Sequence, residues 1–64
     1  MAEYKSQYQF SLTYKTRERA EEALEYSYAD GEVSAWQEPE VKAIKDHRGR
    51  VQGYAIFLTE CHYY

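Results

Sequence analysis

The sequence of 64 residues has one cysteine, one proline, one methionine and three glycines. With Cys61 alone, no internal disulfide can form. A chain of this length buries only about 60% of the surface its unfolded form exposes, so it must fold with a thin margin and without that staple. Gly31, Gly49 and Gly53 are isolated and make no phosphate-cradling loop. No apolar run approaches the roughly 18 residues of a membrane span. The start, Met1-Ala2-Glu3-Tyr4-Lys5, has no apolar signal region. These absences predict one cytoplasmic domain over residues 1–64, complete from Met1, with no membrane association.

Catalytic chemistry is equally thin. Cys61 and His62 are neighbours, so on a strand they face opposite sides and cannot act as nucleophile and base on each other. One cysteine and two histidines lack the paired spacing of a zinc site. Glutamates at helical spacing could ligate metal in a bundle, but the histidine three residues on is missing. The expectation is a non-enzyme with no cofactor and no metal.

What the sequence does hold is periodic. Tyr4, Tyr8, Phe10, Leu12 and Tyr14 share one parity, with Lys5, Gln7, Gln9, Ser11 and Thr13 on the other. Alternation of this kind predicts a half-buried strand from Tyr4 to Lys15. The period then changes. Thr16 suits the N-cap of a helix over Arg17–Ala29, and Ala20, Ala23, Leu24 and Ser27 form a narrow inner stripe of mostly small residues. Asp30-Gly31 should close it, with Gly31 left-handed.

Glu32 to Asp46 reads as extended, beginning with Val33, Ala35 and Trp36 and interrupted at Pro39, which cannot donate to a ladder. Asp46-His47-Arg48-Gly49 reads as a tight turn. The last strand, Val51 to His62, is apolar on both parities through Tyr54-Ala55-Ile56-Phe57-Leu58, as suits a central position. The result is a small α+β domain of order β-α-β-β. Its three-stranded sheet runs 1-3-2, the last strand antiparallel to both others, with one helix on one face. The opposite face should present large apolar groups from the central strand.

Charge is segregated. Residues 18–40 carry eight acids against the single base Arg19, a local charge of −7 within an overall −3. Residues 41–50 carry Lys42, Lys45, Arg48 and Arg50 against Asp46, a local +3. Glu18, Glu21, Glu22 and Glu25 share one helix face, which would repel nucleic acid and attract cationic surfaces. Tyr26, Tyr28, Asp30 and Trp36 lie among these acids, and tyrosine and tryptophan supply contact area at low entropic cost. These eight residues are the candidate partner-binding set. A secondary basic turn, His47, Arg48 and Arg50, could meet a phosphate or an acidic partner.

In size, element order and its mixture of acids with tyrosines, the chain resembles the small proteins that bacteriophages and mobile elements direct against host machinery. These include anti-CRISPR proteins and phage inhibitors of RNA polymerase or nucleases. The resemblance implies an inhibitor that presents carboxylates where phosphates would lie, on a host protein's basic, nucleic-acid-binding surface. The basic cluster Lys42–Arg50 departs from a full nucleic-acid mimic. The rival is a homodimer formed through the open sheet face. A third reading, direct single-strand binding by the sheet and the hairpin tip, conflicts with the net charge.

Overall fold

A computed structural model describes residues 2–63; Met1 and Tyr64 lie outside it. Three strands and one helix follow in the order β1 (Glu3–Gln9), α1 (Arg17–Ala29), β2 (Glu40–Lys45) and β3 (Val51–Tyr63), with a short 3-10 turn at Ala35–Gln37. The sheet order is β1-β3-β2, and β3 runs antiparallel to both neighbours. This is the α+β arrangement expected from the pattern.

The two edge strands hold different halves of β3. β1 pairs with Phe57–Tyr63, whereas β2 pairs with Val51–Phe57. The chain is therefore flat and drawn out, 40 × 33 × 12 Å. Its radius of gyration of 13.2 Å exceeds the value of about 10.7 Å for a compact domain of this length.

α1 begins where Thr16 Oγ1 accepts the Arg19 N–H at 3.2 Å, and it ends in Gly31 at φ +77°. Its inner stripe packs toward β3 and β2 but does not reach β1. Ala20 has no exposed surface there, which lets the helix lie close to the sheet. Val33, Ile56 and Leu58 form the buried core, with Phe10, Ala23, Leu24 and Val41 packed around them. Arg17 fastens the helix start: its guanidinium lies 5.3 Å from the Tyr54 ring centroid and donates to the Val41 carbonyl at 3.4 Å.

The structure corrects three expectations. The first strand stops at Gln9 instead of continuing to Lys15. Phe10 N–H still reaches the Ile56 carbonyl, and Tyr14 returns to bridge Tyr54, but the four residues 10–13 between Gln9 and Tyr14 oppose only Ala55 and Ile56. That bulge breaks the parity. Leu12 is thrown out to 82% exposure, and Tyr8, on the apolar parity of the expected half-buried strand, is 43% exposed because no helix covers β1.

Second, Ala35 and Trp36 do not begin a strand. They lie in the 3-10 turn, and Glu38 at φ +50° redirects the chain into Pro39 and β2. Third, the open face carries no large apolar surface. Lys42 Nζ lies 5.5 Å from the centroid of the half-buried Phe57 ring. Lys42 also donates to Gln7, Gln7 donates to Glu40 at 3.0 Å, and Lys5 pairs with Glu38 at 3.5 Å. A polar lattice thus crosses β3 from β1 to β2.

Gly53 is required by close approach. A Cβ there would lie 2.5 Å from both Thr13 Cγ2 and the Tyr14 carbonyl oxygen. Gly53→Ala should therefore destabilise the protein by about 1–3 kcal/mol, measured by urea unfolding, because backbone must shift to admit it. Leu58→Ala should cost about 2–5 kcal/mol, enough to unfold most of so small a domain at 25 °C by circular dichroism. A cooperative melt unchanged from the parent would refute this account of the core.

Candidate functional site

At about 3.6 residues per turn, Glu18, Glu21, Glu22 and Glu25 lie on the face of α1 opposite the Ala20–Ser27 stripe. All four are exposed, and none pairs with a base among the described residues. The same geometry puts Tyr26 and Tyr28 on opposite flanks of this acidic face. Tyr26 is 65% exposed and Tyr28 43% exposed. Asp30 is the exposed C-cap, its N–H bonded to the Tyr26 carbonyl at 2.9 Å. The tyrosines thus border the acids on both sides.

Tyr26 also lines a groove. The helix and the bulged connection after β1 enclose a hollow of about 420 Å³ between Phe10, Leu12 and Tyr14 on one side and Ala23, Tyr26 and Ser27 on the other. A second hollow of about 400 Å³, also lined by Tyr14, Ala23 and Tyr26, reaches Arg19 and Glu22. An aromatic groove therefore opens beside the acidic face. Pattern reading missed it, because its outer wall exists only through the bulge that the alternation of Tyr8 to Tyr14 conceals.

Not every candidate joins this site. Trp36 is 78% exposed, but its 3-10 turn packs toward β3 and not toward α1. The basic residues His47, Arg48 and Arg50 are exposed at the β2–β3 hairpin tip, a separate element. That tip is well ordered by one carboxylate. Asp46 Oδ1 accepts the N–H groups of Arg48 at 2.8 Å and Arg50 at 2.9 Å, while Gly49 takes φ +81°. The turn has the form the sequence predicts.

A further cluster lies where β1 and the end of β3 pair beyond the helix. The Tyr4 and His62 rings stack at 4.5 Å with planes 11° apart. His62 Nε2 lies 3.0 Å from Ser6 Oγ and 3.7 Å from Glu60 Oε2. Both contacts use the same ring nitrogen. A nucleophile–base–acid relay needs the acid on the other nitrogen to orient the ring, so this arrangement is not one. Only the register that sets Tyr4 opposite His62 brings these residues together, and no local motif announces it.

Cys61 is exposed and opposite Lys5, on the other parity from His62. Glu38, by its charge and its hydrogen bond, holds the Lys5 ammonium pKa above the usual lysine value. Among the described residues no group of three histidine, cysteine or acidic side chains could hold a metal ion, and no helix is long and apolar enough to cross a membrane. Comparison with protein-family models, with curated proteins and with solved structures yields no match, so the reading of this site rests on its own geometry.

Proposed function

We propose that the chain is a non-enzymatic protein-binding module that occupies a basic, nucleic-acid-handling surface of a host protein, in the manner of phage-encoded inhibitors. One observation carries the reading: four exposed glutamates on α1, none paired with a base among the described residues, are bordered by Tyr26 and Tyr28. Carboxylates without internal partners can form charge-assisted bonds with arginine and lysine of another molecule. Tyr26, at the lip of the groove, supplies an anchor that becomes desolvated on docking. The helix face also carries the chain's strongest local charge, so it steers approach to a cationic surface.

The polar lattice on the open sheet face argues against the two other readings. A homodimer through that face would have to desolvate Lys5, Gln7, Glu40 and Lys42. On that open face a single-strand binder would need exposed stacking rings, and Phe57 there lies half-buried near Lys42.

The test is capture of a partner from a bacterial lysate by the parent chain, followed by binding assays on that purified partner. Glu18→Lys/Glu22→Lys/Glu25→Lys should weaken binding by about 100-fold or more while the circular dichroism spectrum stays unchanged. Tyr26→Ala should weaken it by about 1–2 kcal/mol. Rising salt and added nucleic acid should both release the partner. Full binding by the triple variant would remove the site from α1.

A further inference from the structure

We propose that β1 pairs edge to edge with β1 of a second copy, antiparallel about a two-fold axis at Ser6, joining two three-stranded sheets into one of six strands.

Backbone direction supplies the first argument. In an antiparallel ladder, successive residues send their N–H and C=O groups to alternate sides. Phe10, which continues the β1–β3 register, donates to its partner Ile56, so the even-numbered residues of β1 face β3. The N–H and C=O groups of Lys5, Gln7 and Gln9 therefore point outward. None of them has a protein partner among the described residues. The other edge is occupied differently. Arg17 takes the outward Val41 carbonyl, Pro39 precedes β2, and a register shift disrupts it at Ile44/Lys45. Proteins protect edges by such means, and within Glu3–Gln9 β1 has only the charges of Glu3 and Lys5, its bulge lying beyond Gln9.

The second argument is symmetry. Glu3-Tyr4-Lys5-Ser6-Gln7-Tyr8-Gln9 reads alike in both directions around Ser6: tyrosine two residues away, polar groups one and three away. A two-fold contact requires one patch that complements itself. Centring the pair on Ser6 sets Lys5 against Gln7 and Glu3 against Gln9, with every outward group meeting an outward group. No like charges oppose. Tyr4 then sits opposite Tyr8 of the other copy in the wider-bonded, closer-packed positions, where aromatic pairs contribute most. Centring on Lys5 instead would oppose two lysines, and centring on Gln7 would leave Glu3 opposite the bulge. The strand is also neutral, since Glu3 and Lys5 cancel, while the acids of α1 lie over β2 and β3.

Area supplies the third. The chain exposes 4991 Å² against about 4,300 Å² for a monomer of its mass. The excess of about 700 Å² is close to the roughly 800 Å² that each partner contributes to a standard interface. Tyr4 and Tyr8, on the α1 face of the sheet but beyond the reach of the helix, stay 44% and 43% exposed on β1.

Sedimentation equilibrium on the full chain at high micromolar concentration should return twice the 7.6 kDa chain mass. In a Cys61→Ser background, Ser6→Cys should oxidise almost completely to a covalent dimer, because residues on the axis approach within disulfide range. Glu21→Cys in the same background should stay largely monomeric. Tyr4→Lys/Tyr8→Lys should lose the dimer, and Tyr4→Lys/Tyr8→Glu should regain it by setting opposite charges across the axis. A monomer throughout overturns the proposal, as does cross-linking at position 6 no better than at position 21. Equal behaviour of the two charge variants overturns the register. The α1 charge reversals should leave the dimer mass unchanged, which separates this proposal from the reading of the helix.

Discussion

Everything in this fold hangs on β3. Among the described residues it is the one strand bonded on both edges, and it sends Ile56 and Leu58 into the core against Val33. The helix contributes little apolar surface of its own, with Ala20 its one fully buried side chain, so it is held by this strand and by Arg17 over Tyr54. Gly53 completes the arrangement. Only a residue without a side chain admits Thr13 and the Tyr14 carbonyl at that distance. The hydrophobic contribution is small in absolute terms, which is why single core truncations carry such weight in a chain this short.

The stagger of the two edge strands along β3 shapes the surface. Because β1 holds the far half of β3, it lies outside the reach of α1, and the helix does not cover its tyrosines. Because Glu40 and Lys42 face Gln7 across β3, polar groups knit the open face and remove it as an apolar contact surface. Two surfaces among the described residues stand out for unused capacity: the acidic outer face of α1, with its groove beside Tyr26, and the bare backbone edge of β1. They differ in kind. The first offers charge and aromatic area to a foreign cationic surface, and the second offers a hydrogen-bonding template that its own sequence complements.

The elements that were legible in the sequence are those where local chemistry and tertiary packing agree. Thr16 caps and Gly31 closes the helix because capping is decided within one turn of chain. Asp46 and Gly49 make the hairpin turn for the same reason. The double apolar parity of residues 54–58 marks the central strand because burial on both faces removes any need for alternation. The acidic face was legible as a face, since helical spacing alone aligns Glu18, Glu22 and Glu25. The alternation from Tyr8 to Tyr14 misled because Ser11, whose hydroxyl accepts the Ile56 N–H at 2.9 Å, replaces a ladder carbonyl and lets the chain bulge. Val33 to Trp36 misled because one buried valine in a connection resembles the start of a strand.

By itself the sequence determined the kinds of elements, their order, the central place of β3, the segregation of charge and the absence of a disulfide. All of these depend on residues close in the chain or on composition. The tertiary structure alone decided the stagger of β1 and β2 along β3, the meeting of Tyr4, Ser6 and His62, the groove beside Tyr26 and the polar lattice over Phe57. Each of these joins residues distant in the chain through a pairing register. Register is set by the balance of all cross-strand contacts together, and no single residue announces it.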